Sequence, residues 1–187
     1  MDAQKTVYLS FFDGIDPHKV NRFMQFTTDV IRQQNPTELY FFISSSGGDV
    51  DSGFVLYNFL VSLQSKMTIT MHNTGTVDSI ANVIFMGGQK RYAAPNASFL
   101  FHGVMMNMNG GVSRTMLKES LSRLEGMENR IARTVSQHSK LTEAELGALF
   151  MQGEGKDVNF ALQKEIIHEI RVPSVPPGAL HMAMNVA

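Results

Sequence analysis

The chain has 187 residues, 43% hydrophobic and 18% charged, which is the composition of one globular domain with a core of its own. Sixteen basic residues against seventeen acidic ones leave no electrostatic footprint for nucleic acid or an anionic membrane, and the lack of cysteine removes disulfide and thiolate chemistry. No apolar run approaches the roughly 20 residues that span a bilayer, and the polar start Met1-Asp2-Ala3-Gln4-Lys5 has no apolar signal region. A cytoplasmic protein without a metal site or bound cofactor is therefore expected.

Residues 5–10 read as a short strand, and Asp13-Gly14 as a turn. Asp16-Pro17 is an N-cap followed by proline at the first helical position. Val20, Phe23, Met24, Thr27, Val30 and Ile31 then recur at helical spacing, which predicts an amphipathic helix over residues 17–33. Residues 38–43 form a nearly continuous apolar run, as expected of a strand covered on both faces.

The glycine-rich turn Ser44-Ser45-Ser46-Gly47-Gly48-Asp49-Val50 follows directly and precedes a helix over residues 51–63. Such a turn can point bare N–H groups at an anion or carbonyl. It lacks the Gly-Lys-Ser/Thr of a P-loop and the dinucleotide GxGxxG. Taken alone, it is equally a tight turn.

Residues 67–72 alternate as a strand, Thr74-Gly75 reads as a turn, and residues 80–86 form a short apolar helix stopped by Gly87-Gly88. Ser79 thus falls where a strand turns into a buried helix. An alkoxide there, or an oxyanion beside the Ile80 N–H, would meet unpaired helix N–H groups. The same position also suits a plain N-cap serine. Alternating strands and helices imply a parallel sheet with right-handed crossovers, and chemistry in such sheets gathers beyond the carboxyl ends of the strands. The Gly47-Gly48 and Ser79 turns both lie at such ends.

Residues 90–96 read as a strand and turn, and residues 97–101 as a buried strand with His102 at its end, a candidate base. His72 also ends a strand but reads as structural. Residues 103–111 are rich in Met, Asn and Gly and have no evident core role. A long helix is expected over residues 113–138, with Leu117, Leu121, Leu124, Ile131 and Val135 at heptad-like spacing and Glu128 interrupting. Thr142-Glu143-Ala144-Glu145 is a capping box opening another helix. Residues 152–157 read as a polar turn, 160–164 as a helix and 166–170 as a last strand. The tail over residues 171–187, with Pro173, Pro176 and Pro177, reads as extended and laid on the surface.

Four of these motifs resemble, in order and spacing, those of the proteolytic subunit of the caseinolytic (Clp) protease. Residues 44–50 resemble its Ser-Pro-Gly-Gly-x-Val, Gly75-Thr76-Val77-Asp78-Ser79 its Gly-x-x-x-Ser, Arg91 to Asn96 its Arg-x-x-x-Pro-Asn, and Phe101-His102 its strand ending in histidine. The similarity covers residues 6–170. It implies an α/β, crotonase-like fold of repeated β-β-α units in one domain over residues 1–170, with a mostly parallel sheet and the helix over 113–138 as a projecting handle. Ser79 would be the nucleophile of a serine endopeptidase and His102 its base. The N–H groups of Gly48 and Ile80, with Gly47 allowing the bend, would form the oxyanion hole, and Met105, Met106 and Asn107 would bind polypeptide substrate. The assembly implied is a homo-oligomer of stacked heptameric rings fed by a separate ATP-dependent (AAA+) unfoldase, so ATP is needed only on that partner.

Three departures bear on this reading. The position of the family's triad aspartate falls on Gly153, leaving Glu154, or alternatively Asp157, to orient His102. Asp78 stands where the family carries a small apolar residue. The start of the chain is short for the segments that meet an unfoldase. The first departure keeps open a catalytically weak or inactive ring subunit with a structural role, and the shared fold keeps open a crotonase-type enzyme acting on acyl-CoA.

Overall fold

A computed structural model of the chain describes residues 5–108 and 110–184. The polar start over residues 1–4, Asn109 of the Met-Asn-Gly stretch, and the last residues of the tail, 185–187, lie outside the described residues.

The described strands are β1 (Thr6–Phe12), β2 (Glu38–Ser45), β3 (Thr68–Asp78), β4 (Lys90–Ala93), β5 (Ser98–Leu100), β6 (Gly155–Asp157), β7 (Glu169–Ile170) and β8 (Leu180–Ala183). They form one sheet in the order β6-β5-β3-β2-β1-β8, with β4 also on β3 and β7 on β4. Every pairing is parallel except β5 with β6. The helices are α1 (Pro17–Gln34), α2 (Val50–Leu63), α3 (Ala81–Met86), α4 (Arg114–Ser136), α5 (Glu143–Gln152) and α6 (Val158–Gln163). The molecule is thus α/β with a mostly parallel sheet.

The continuous apolar run of β2 is buried from both sides. Leu39, Phe41 and Ile43 join the main core, with Phe23 of α1 and Leu56 and Leu60 of α2. Tyr40 and Phe42 point the other way, into an aromatic cluster with Tyr8, against which Tyr92, Val175 and Ala179 pack. Strand alternation therefore gives one apolar run two separate burial surfaces.

Three local readings of the sequence are corrected. Thr74-Gly75 is not a turn, because β3 continues to Asp78 and absorbs the pair as a shift in its register with β2. Asn73 Oδ1 accepts the Gly75 N–H at 3.0 Å and Ser44 Oγ accepts the Thr76 N–H at 3.2 Å, so local side chains satisfy the displaced backbone. The result is a long strand whose first half pairs with β4 and whose end pairs with β5. The polar turn expected over residues 152–157 contains β6, and the tail contributes β8, which adds parallel to β1. His181 of β8 bonds Ser10 Oγ at 2.8 Å and stands edge-on to the Phe42 ring.

Ser113 caps α4, whose buried residues are Ile131, Ala132 and Val135, all near its end. Met116, Leu117 and Leu121 in its first half are exposed. The capping box of α5 forms as expected. No helix among the described residues is long and apolar enough to cross a membrane.

Candidate active site

Ser79 leaves the end of β3 in the left-handed region, with φ 55°. A non-glycine residue there is held at a cost of about 1–2 kcal/mol. This overturns the N-cap reading: Ile80 caps α3 with no side-chain bond, and Ser79 is the bend itself. Its backbone is fully tied. The Ser79 N–H donates to Leu100 O at 2.9 Å, and Ser79 O accepts from the Asn82 N–H at 3.1 Å and from Asn82 Nδ2 at 3.0 Å. Asn82 Nδ2 also reaches Leu100 O at 2.9 Å, so one buried amide staples the serine bend to β5. Asn82 was not singled out in the sequence, and its position three residues after the serine is the signal it offered. Asp78, the residue that departs from the family's small apolar one, accepts a bond from Thr76 Oγ1 within β3.

The diglycine bend presses on this serine. A Cβ on Gly47 would lie 2.7 Å from Ser79 Cβ and 2.8 Å from Asp78 O. Gly47 and Gly48 have φ of 86° and 149°, and a Cβ on Gly48 would meet Ile15 O at 2.1 Å. The bend is held from behind, with Ile15 N–H donating to Gly47 O and Asp49 N–H to Ile15 O, both at 2.8 Å. The N–H groups of Gly48 and Ile80 make no hydrogen bond among the described residues. Gly48 lines the same cleft as Ser79, whereas Ile80, next after the serine, is fully buried and outside that lining.

His102 follows β5. Its Nδ1 lies 2.8 Å from Gly103 O. A carbonyl only accepts, so Nδ1 carries the proton, and in the neutral ring Nε2 keeps its lone pair. Ser79, His102, Gly47, Gly48, Met105 and Met106 line one cleft of about 400 Å³, together with Val104 and Met127. No hydrogen bond joins Ser79 to His102 among the described residues, a looseness common in unliganded sites. Asn107 is exposed and outside this lining, whereas Met105 is 84% exposed at its rim.

The carboxylates expected near His102 are engaged elsewhere. Glu154 pairs with Lys156 at 3.1 Å, and Asp157 caps α6 by accepting the Phe160 N–H at 2.8 Å. Gly153 is the left-handed C-cap of α5. A different acid approaches the segment after His102: Glu128 of α4 accepts the Val104 N–H at 2.9 Å, while the Gly103 N–H donates to Phe150 O at 3.1 Å.

In this α/β protein, then, a strained serine at a strand end stands against a diglycine bend and in one cleft with a histidine. Comparison with known proteins gives the family. The family described as Clp protease matches residues 5–171, and the chain belongs to it. The ATP-dependent Clp protease proteolytic subunit of Streptococcus suis (strain 98HAH33) is 26% identical over 113 residues, covering 58% of this chain and 56% of its own. That of Streptococcus mutans serotype c is 27% identical over 113 residues, covering 59% and 56%. That of Streptococcus pyogenes serotype M5 is 26% identical, with the same coverage as the second. The chain spans about half the length of the curated relatives it matches.

Proposed function

We propose that the chain is a serine endopeptidase, the proteolytic subunit of a Clp-type assembly, with Ser79 as nucleophile and His102 as general base. One observation carries the reading: Ser79 is held at φ 55° in the same cleft as His102 and the diglycine bend. Attack of Ser79 Oγ on a peptide carbonyl would pass its proton to His102 Nε2. The carbonyl oxygen would gain charge beside the Gly48 and Ile80 N–H groups, each worth about 3–4 kcal/mol of barrier lowering. His102 would then protonate the leaving amine, and water would hydrolyse the acyl-enzyme. Met105 and Met106 would lie along the bound peptide, whose main chain could pair with the segment after His102.

The exposed Met116, Leu117 and Leu121 of α4 are a natural contact for further copies of the chain in stacked rings. Polypeptide would be delivered by an ATP-driven unfoldase, in keeping with the names of the relatives, and the setting would be cytoplasmic. A second reading, a ring subunit of weak or no activity, draws on Gly153 at the acid's position and on Glu154 and Asp157 being occupied elsewhere.

A fluorophosphonate probe followed by mass spectrometry separates the two. Labelling at Ser79 that disappears in Ser79→Ala supports the peptidase. Labelling unchanged by that substitution excludes it, and full activity of the purified chain alone excludes the inactive subunit.

A further inference from the structure

The bonds around His102 form a connected path to a charge. His102 Nδ1–H donates to Gly103 O at 2.8 Å. The Val104 N–H donates to Glu128 Oε1 at 2.9 Å. Gly103 C=O and Val104 N–H belong to the same peptide group, so the imidazole and the carboxylate bind opposite ends of one planar, conjugated unit. A carboxylate on the N–H end polarises that unit and makes its carbonyl a better acceptor.

We propose that Glu128 is the acid of this site, acting on His102 through the Gly103–Val104 peptide rather than by direct contact. It is a positioning residue: it keeps the proton on Nδ1, fixes the ring, and leaves the Nε2 lone pair free for Ser79. This rests on the peptidase reading for its use in catalysis, but the hydrogen-bond path does not depend on it.

Two independent features show that the path is built. The carboxylate is packed against residue 103, where a Cβ would lie 2.9 Å from Glu128 Oε1 and would push it aside. The Gly103 N–H is separately anchored to Phe150 O at 3.1 Å, which fixes the plane of the relay from the α5 side. Glu128 is also the residue that interrupts the apolar spacing of α4, and its neighbour Met127 lines the cleft. The middle of α4 thus supplies both a wall and a charge.

Glu128→Gln keeps an oxygen for the Val104 N–H and removes only the charge. The difference between a charged and a neutral acceptor corresponds to roughly tenfold. In the full chain labelled with ¹⁵N-histidine, and with the His102 signals identified by His102→Gln, the wild type should show the Nδ1–H tautomer. Glu128→Gln should raise the Nε2–H tautomer severalfold and slow fluorophosphonate labelling of Ser79 by roughly tenfold. Gly103→Ala, which displaces the carboxylate by a different route, should give the same tautomer change. An unaltered tautomer ratio in both variants overturns the proposal. A tautomer change in a wild-type background that never labels at Ser79 would instead sink the peptidase reading and leave the relay standing.

Discussion

Gly47 and Ser79 are in such close contact that no side chain fits between them: a Cβ at residue 47 would fall 2.7 Å from that of the serine. The diglycine bend and the serine bend are therefore one packed unit, although 32 residues apart in sequence. Gly47→Ala adds a left-handed penalty of about 1–2 kcal/mol to an overpacking penalty of about 1–3 kcal/mol. The expected loss is about 2–5 kcal/mol by urea unfolding, with probe labelling of Ser79 abolished in the folded fraction. A variant of normal stability and normal labelling would contradict the contact.

The strain at Ser79 has its own consequence. With φ at 55°, glycine would relieve about 1–2 kcal/mol at this residue and lose about 0.4–1 kcal/mol through the freer unfolded chain. Ser79→Gly should therefore be more stable than the wild type by about 0.5–1 kcal/mol while losing all labelling. Ser79→Ala keeps a Cβ in the same backbone conformation and should stay within about 0.5 kcal/mol of the wild type. A glycine variant less stable than the alanine variant by about 0.4–1 kcal/mol would mean that the bend stores no strain. Matched thermal unfolding of the three proteins decides the matter.

How far the sequence announces this site differs from residue to residue. Apolar runs and caps placed the elements well, because Asp16, Thr142 and the run over residues 38–43 each act through neighbours close in the chain. Thr74-Gly75 misled because glycine next to a polar residue signals a turn, whereas here Asn73 and Ser44 satisfy the backbone of a register shift. Ser79 was legible as a residue of interest, yet its conformation was not. The choice between a helical cap and a left-handed bend is made by the Leu100 carbonyl and by Asn82. Glu128 appeared only as a defect in a heptad pattern. Its partner, the Val104 N–H, lies 24 residues away and is a backbone group that no motif can display.

His72, within β3, is fully buried and bonded on both sides. Its Nε2–H donates to Arg171 O at 2.9 Å, and its Nδ1 accepts from the Tyr40 hydroxyl at 2.7 Å. This pattern requires the neutral ring. Burial holds its pKa below the ordinary 6.5, a shift that the bond to the Arg171 carbonyl only partly opposes. The unfolded chain takes up the proton first, so this contribution to stability is complete above pH 6.5 and is lost as pH falls below it, until the native ring titrates. His138 and His168 are shifted in the same direction by burial and share the trend. His72→Gln should lower stability at pH 7.5 by about 1–2 kcal/mol and flatten its decline below pH 6.5 relative to the wild type. Parallel stability–pH curves for the two proteins would remove His72 as a source of acid sensitivity.

Arg91, which opens the Arg-x-x-x-Pro-Asn stretch, is 6% exposed and serves as a bolt between helix ends. Its Nε donates to Ile166 O at 2.7 Å, Nη1 to Gly88 O at 3.1 Å, and Nη2 to His138 O at 2.6 Å and Glu165 O at 3.0 Å. His138 and Glu165 follow the carboxyl ends of α4 and α6, where a cation also offsets the helix dipoles. Burial lowers its pKa to about 10, so the charge is carried at a desolvation penalty and is worth keeping only while all four carbonyls use it. Arg91→Met removes the penalty but orphans those carbonyls, each at about 1–3 kcal/mol, so a net loss on the order of 3 kcal/mol is expected. Arg91→Lys should recover less than half of it, because an ammonium cannot reproduce the planar fork. Releasing the end of α4 should also loosen Met127 and Glu128, so Ser79 labelling in Arg91→Lys should fall more steeply than the folded fraction does. Labelling that merely tracks the folded fraction would show that the bolt stabilises the chain without shaping its cleft.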